Sequence, residues 1–595
     1  VRGPSVSAAA LTKRWGALAA LTAFGVVVLV LGARTGTPIL SYDDIFRTLF
    51  AYQWSRHPYF FTERLVWLPF PLIATGLAIR LTGEAFWTAL AVDLISIVVA
   101  IWYVHRLTDR LFGRLAAWIA ASLFGLTPWV VFLALSRYSE PVLLAATAIG
   151  VFHWTRWSES GRAHDLACAS IALGAAVLTR YEAWPLGLAL SLHAMARALV
   201  GGRSTLLPPV RPRLSAVWSV LPPLLMSIWI WKNMAVYGTP VYGGAYGFLP
   251  DAQPAGIWGG VGLAARYLWQ LNPPLAALGL LGGVVNSRRA PVLVGLAALS
   301  AVVPWYTVSL FRVDVALQIR LMLGPLMLIA PFAGAVAAWA VGRHRTVIAL
   351  AGLVVAAEFA QGLRLHYPAP GLPMTLLARQ LAQSGVMDQF DAIYVESLRP
   401  MGYPDEVRVA TNFRRPVHAL PPDPSATPWT KTSADAILIL NDGRIRPGGP
   451  TGEAVVVSRV RQMTAWQICN RRTDEEDQVE WVSARVPAIM KGSERAVVRV
   501  TFRNGGSRPW RSNPCGVWLA HRWVHGQSRV VHDGAPFAFP APVEPGETMT
   551  LEVPVQAPPA DGEYMLDFDL VRGPSSPPDA PGRRTFQVPV RVTSG

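Results

Sequence analysis

Cysteine is almost absent from this chain of 595 residues: Cys168, Cys469 and Cys515 are the three, and no two are spaced as a pair. That excludes a disulfide-stapled scaffold and any locally built cysteine metal site. Charge is scarce too, at 15% of residues against 52% hydrophobic, with a mean hydropathy of +0.34. A disordered chain and an ordinary soluble enzyme are both excluded by that balance. No glycine-rich Walker loop occurs, which argues against ATP-driven transport. Acidic residues number 37 against 53 basic ones, for a net charge of +16. A surplus of this size suits nucleic acid only when it is gathered into one stripe. Here the basic residues sit in short segments between apolar runs, a membrane pattern with no nucleic-acid partner.

What the chain has in abundance is apolar runs near the roughly 20 residues that a helix needs to cross a bilayer core of about 30 Å. They fall at about 16–33, 85–104, 115–135, 141–156, 166–179, 183–199, 214–231, 261–285, 291–310, 321–341 and 346–363. The chain therefore reads as a polytopic α-helical membrane protein with about eleven spans. The first run has no small-residue cleavage site behind it and is read as a retained helix. A further piece, Leu65 to Leu81, holds Pro69 and Pro71 and ends at Arg80. Short cytoplasmic segments carry an excess of lysine and arginine, and this decides its status. With the N-terminus inside and 65–81 left out of the count, the inner segments hold 16 basic residues in 62 positions and the outer ones 10 in 100. Residues 65–81 are accordingly expected in the first external loop, in or dipping into the interface. The odd span count puts everything after residue 363 outside. This topology gathers Asp43, Asp44, Glu140, Arg180, Glu182, Lys232, Arg312 and Arg320 at the outer ends of spans.

Beyond about residue 364 the apolar runs shorten and proline rises. A helical stretch from Thr375 to Ser384 leads to β-like runs at Ala392–Glu396, Val407–Ala410, Ala436–Leu440 and Ala454–Val457, a small α/β domain. Asp474 to Asp477 forms an acidic linker, read as a solvated hinge. Further β-patterned segments follow at Ala496–Phe502, Gly516–Trp523, Met549–Val555, Tyr564–Leu570 and Arg584–Val592. Turn signals such as Asn504-Gly-Gly506 separate them, as in a β-sandwich. The expected domains are 1–363 in the membrane, 364–473 as an extracytoplasmic α/β domain and 478–595 as the sandwich. Phe502 to Trp510, Pro545-Gly546 and Ala557 to Tyr564 resemble Ig-like modules of autophagy cargo receptors and bacterial surface proteins. That resemblance brings no catalytic residue.

Tyr42-Asp43-Asp44 follows the first span, and Ile45, Phe46, Leu49 and Phe50 give the next stretch an apolar helical face. Acidic residues at a helix start are also favoured by capping and by the helix dipole, so this pair alone is open to either reading. The order of features weighs toward chemistry. A first helix, an external acidic pair, an amphipathic helix, Arg56-His-Pro-Tyr59 and Trp67-Leu-Pro-Phe70 together resemble the GT-C superfamily of membrane glycosyltransferases, in the branch of protein O-mannosyltransferases and aminoarabinose transferases. Ser136-Arg-Tyr-Ser-Glu-Pro141 is similar to the second acidic site of that superfamily, and Arg180 and Arg320 look like its external arginines.

The resemblance implies a GT-C-like catalytic domain in the cytoplasmic (inner) membrane. It implies sugar transfer from a polyprenyl-phosphate donor to a protein, lipid or glycan acceptor outside. An attacking hydroxyl needs a carboxylate base, and a departing phosphate needs cations. Asp43 takes the leading acidic position, as base, with Asp44 and Glu140 supporting it. Arg180 and Arg320 are candidates for the phosphate, with Lys232 beside them; snorkelling and pairing, as of Arg180 with Glu182, are the plainer roles. Many relatives carry a basic residue and two prolines where this chain reads Trp67-Leu-Pro-Phe70, so Arg64 is the candidate replacement. His57 is a candidate acceptor or headgroup contact, or a simple interfacial histidine. No cofactor is called for: carboxylates such as these can hold Mg²⁺ or Mn²⁺, as in related oligosaccharyltransferases, but the mannosyltransferase-like branch is expected to act without metal. The rival readings are a transporter or flippase of a lipid-linked glycan and a membrane-anchored adhesion protein. The first needs ionisable residues spread through the bilayer depth, whereas most here cluster at the outer ends, with Asp93 and Glu358 as exceptions. The second needs far fewer spans.

Overall fold

The computed structural model describes residues 42–59, 67–200, 212–239, 256–310 and 319–343, short segments between 377 and 468, and 478–594 apart from 513–515, 526–528 and 573–584. The chain divides into two compact units, Val1–Leu372 and Pro373–Gly595.

The first unit is helical. Proline opens several of its helices where the missing N–H costs nothing, as at Phe70–Thr82, Pro128–Leu133, Glu140–Ser160, Pro273–Val285 and Pro291–Ser300. Glycine closes others: Gly83 and Gly161 take φ of 74° and 67°, the left-handed conformation that lets the last turn end cleanly. Among the described residues, Phe86–Phe112 and Arg320–Arg343 are long and apolar enough to cross a membrane. A third span counts if Gly256–Leu271 and Pro273–Val285 are taken as one, but these meet at a bend of 119°. The expected span 261–285 is therefore broken at Asn272-Pro273. The bend is fastened by Asn272, whose Oδ1 accepts from Leu275 N (2.9 Å) while its Nδ2 donates to Leu123 O (3.1 Å) and Thr127 Oγ1 (3.0 Å). The 115–135 run is likewise two helices, Arg114–Gly125 and Pro128–Leu133. The expected first span and the run 346–363 lie outside the described residues, so the count of eleven stays an expectation.

Leu65 to Leu81 contributes a helix, Phe70–Thr82, of 13 residues, about 20 Å at the ordinary rise and too short to cross. It packs on the Tyr42–Arg56 helix, where Gly76 lies against Trp54 and Ala51. Elsewhere glycines permit backbone contact. A Cβ on Gly334 would run into Ala116 O, and one on Gly282 into Phe332 O, so the helices Arg114–Gly125, Pro273–Val285 and Leu323–Arg343 touch main chain to main chain. The core between the helices is built from residues such as Phe124, Trp157, Tyr267 and Phe332.

The second unit holds a mixed sheet in the order Val417–Ala419, Ala392–Val395, Ala436–Asn441, Met463–Ile468, Ala454–Val460. Its first three strands are parallel and the rest antiparallel. The run at Val407–Ala410, expected as a strand, is helical over 407–409. Three apolar residues in a row do not distinguish the two periods. Residues 478–594 form two sheets around one core that includes Phe502, Trp510, Trp523 and Phe568. One runs Arg529–Asp533, Val517–His525, Gly562–Arg572, Phe586–Thr593, Ile489–Lys491, and the other Thr548–Gln556, Arg495–Asn504, Val479–Arg485. Burial alternates along Arg495–Asn504 and Thr548–Gln556, one face on the core and one on solvent. All five expected strands are present. Val479–Arg485, Ile489–Lys491 and Arg529–Asp533 are additional. The linker Asp474 to Asp477 lies outside the described residues.

Candidate active site

Three helix ends converge on Glu140. It is the first residue of Glu140–Ser160, where the helix dipole favours a carboxylate. Arg180 stands in the tight link between Ala163–Val177 and Trp184–Val200, and Arg320 opens the turn before Leu323–Arg343. Arg180 Nη1 lies 2.9 Å from Glu140 Oε1 and 3.3 Å from Ser139 Oγ, while its Nε donates to Glu182 Oε1 at 2.8 Å. Arg320 Nε lies 3.2 Å from Glu140 Oε1, and its guanidinium sits 4.5 Å from the Tyr138 ring centre. Glu140 is 2% exposed and Arg320 9%. A carboxylate so deeply buried is tolerated because two guanidiniums meet the same oxygen. Formal charges over Glu140, Glu182, Arg180 and Arg320 cancel, and each guanidinium has five N–H donors with which to hold more than one oxyanion.

A pocket of about 400 Å³ opens on this cluster. Glu140, Glu182, Arg320 and Ser300 give it a charged and polar lining, and Leu143, Leu144, Leu186, Leu323 and Pro325 an apolar wall. Charged and apolar surfaces thus share one cavity. A second pocket, of about 270 Å³, is lined by Arg47, Thr48, Thr75, Asp93, Arg137 and Tyr138, among others. The segment 137–140 contributes to both, Arg137 and Tyr138 to the second and Glu140 to the first. Arg137 takes φ of 62°, a conformation uncommon for a side-chain-bearing residue. Its guanidinium lies 5.0 Å from the Phe86 ring centre, and that of Arg47 lies 4.6 Å from Trp67.

The expected residues divide accordingly. Glu140, Arg180, Glu182 and Arg320 come together. Asp43 and Asp44 fall in the first turn of Tyr42–Arg56, one turn before Arg47 and Thr48 of the second pocket; their side chains lie outside the described residues. Lys232 is buried against Trp229, Nζ 4.5 Å from its ring centre, and Trp229 Nε1 donates to Tyr181 Oη at 3.2 Å. Lys232 thus stands behind the Arg180 link and lines neither pocket. His57 is exposed just past the end of its helix and lines neither pocket. Arg64 and Arg312 lie outside the described residues. Among the described residues no group of three His, Cys, Asp or Glu side chains comes together to hold a metal ion. Sequence reasoning gave no site role to Arg47, Asp93 or Arg137. For Asp93 a signal existed, a lone ionisable residue in the apolar run 86–104. Arg47 and Arg137 carried none, because an arginine at a membrane boundary is ordinary.

Residues 56–230 match the family model described as dolichyl-phosphate-mannose-protein mannosyltransferase. Among solved structures, ArnT from Cupriavidus metallidurans bound to undecaprenyl phosphate is similar at 14% identity, covering 76% of this chain and 98% of that one, with a TM-score of 0.50. Weaker likenesses include the archaeal oligosaccharyltransferase AglB from Archaeoglobus fulgidus (12% identity, 69% and 65% covered, TM-score 0.42). Another is the arabinosyltransferase EmbB from Mycobacterium smegmatis (13%, 99% and 65%, 0.39). No curated protein sequence matches. At such identities the structural likeness to ArnT speaks for the fold, and the family model speaks for the sequence of the segment that carries Glu140 and Arg180. Together they give the chain a GT-C-like fold and, over residues 56–230, a sequence that matches the mannosyltransferase model.

Proposed function

We propose that the protein is an inverting glycosyltransferase that moves a sugar from a polyprenyl-phosphate donor to a protein, lipid or glycan acceptor on the extracytoplasmic face of the cytoplasmic membrane. The observation that carries this reading is the buried Glu140–Arg180–Arg320 cluster on a pocket with an apolar wall. An acceptor hydroxyl oxygen attacks the anomeric carbon, the bond from that carbon to the phosphate oxygen breaks, and the lipid phosphate leaves with the electron pair. The hydroxyl proton passes to a carboxylate. Glu140, tied to two guanidiniums, is a poor base and serves to position them, which leaves Asp43 as base and Asp44 as its neighbour. Arg180 and Arg320 stabilise the charge that grows on the departing phosphate; Arg64, Lys232 and His57 are the further residues assigned to substrate binding. A single displacement inverts the anomeric configuration.

The test is transfer by the purified protein from a panel of polyprenyl-phosphate sugars, with product configuration read by NMR. Transfer with inversion is expected; retention would require a covalent intermediate and overturn the mechanism. For orientation, a reporter fused after Arg364 is expected to signal outside the cytoplasm, and a cytoplasmic signal removes the shared external site.

A further inference from the structure

Asp93 is the carboxylate that the proposed mechanism leaves unused. It stands in the Phe86–Phe112 membrane helix, 2% exposed, on the wall of the second pocket. The backbone N–H of Tyr138 donates to it, but its Oδ2 has no hydrogen-bond partner among the described residues. A buried carboxylate oxygen facing a cavity without a donor is costly unless something enters to supply one. Around it the wall carries donors: the guanidiniums of Arg47 and Arg137 and the hydroxyls of Thr48 and Thr75. Acceptor and donors on the walls of one small cavity match a group whose every polar atom both gives and takes a hydrogen bond, which is a hydroxyl. A cationic ligand is disfavoured by two arginines, and a purely anionic one by Asp93. The empty space among these side chains, about 270 Å³ counted with the open solvent at its mouth, sets an upper bound that excludes a chain of rings. Tyr138 joins this cavity to the Glu140 cluster, since its ring carries Arg320.

We infer that the cavity among Arg47, Thr48, Thr75, Asp93 and Arg137 is a sugar-hydroxyl subsite in which Asp93 accepts a hydroxyl of the sugar. The inference rests on the donor reading above. A hydroxyl-bearing ring can come from the donor or from the acceptor, and binding separates the two. The full-length protein is titrated, by native mass spectrometry in detergent, with bare undecaprenyl phosphate and with undecaprenyl phosphate carrying mannose, glucose or arabinose. Wild type is expected to bind one glycosylated lipid at least ten-fold more tightly than the bare lipid. Asp93→Asn, which keeps an oxygen for the Tyr138 N–H but puts a donor where the acceptor stood, is expected to abolish that preference while binding bare lipid as wild type does. Thr75→Val, isosteric and only half-buried, is expected to cut it several-fold and covers the case in which Asp93→Asn does not fold. If the donor preference is intact in both variants but the KM for a hydroxyl acceptor rises at least five-fold, the subsite holds the acceptor. If neither quantity moves, or if binding of the bare lipid falls in step, the subsite is wrong. Wild type that binds bare lipid and prefers no glycosylated one overturns the subsite alone. Wild type that binds no polyprenyl phosphate overturns the donor reading itself.

Discussion

At its first residue the Glu140–Ser160 helix meets Arg180 and Arg320, which grip a carboxylate beside a cavity. In its last turn, about 25 Å away at the ordinary rise, it meets Arg197, whose Nη1 donates to Trp157 O (3.2 Å) and Ser158 O (2.9 Å). Both ends bury arginine, but they use it differently. Arg197 supplies donors to carbonyls that a helix end leaves over and sits where the dipole favours a cation, 4.8 Å from the Trp157 ring centre. It is complete without a ligand. At the other end guanidiniums are set against carboxylates around open space, an arrangement that helix termination does not require. Arginine in a membrane protein therefore marks chemistry only where it faces a cavity together with the opposite charge.

Breaking the contrast at its strongest point should have the largest effect. Asp43→Asn is expected to lower transfer about 10²–10⁴-fold with the fold and donor binding kept, because an amide still caps a helix but takes no proton; Asp44→Asn should do less. Turnover of purified variants measures this, and wild-type rates in both would leave capping as the role of the pair. Next, Glu140→Ala strips a buried carboxylate from two guanidiniums, at a cost of about 3–5 kcal/mol and with transfer falling alongside, read by thermal unfolding and activity on the same sample. Arg197→Met should sharpen the comparison from the other side: stability falls by about 1–3 kcal/mol as the carbonyls lose their donor, and transfer per folded molecule is unchanged. The smallest effect is expected at Arg110, whose pair with Glu159 is exposed on both sides. Arg110→Ala should cost under about 1 kcal/mol and leave turnover alone.

Much of the site was legible because its parts are tied to helix ends, and helix ends can be read from where apolar runs stop. Glu140, Arg180 and Arg320 each stand at such a boundary, so basic-residue counting brought them to one side before any contact was known. Asp93, Arg47 and Arg137 were less legible for the converse reason. Asp93 interrupts an apolar run, which span counting treats as noise, and the positive φ of Arg137 has no signature in an Arg-Tyr-Ser string. In the fold, the broken helix at Asn272 was missed although Pro273 and Pro274 mark it, since composition alone passes over a bend. The sandwich strands were found where inward and outward residues alternate, and missed at Ile489–Lys491, too short to alternate visibly.

The glycine contacts at Gly282 and Gly334 carry a mechanical consequence. Three helices whose backbones touch can neither slide nor roll without collision, so Arg114–Gly125, Pro273–Val285 and Leu323–Arg343 act as the stator of this machine. Arg320 is mounted directly on it, at the turn that opens the last of the three, whereas Arg180 rides on a short link between two other helices. Any movement that opens the Glu140 pocket is therefore expected to come from the parts around Arg320 rather than from Arg320 itself.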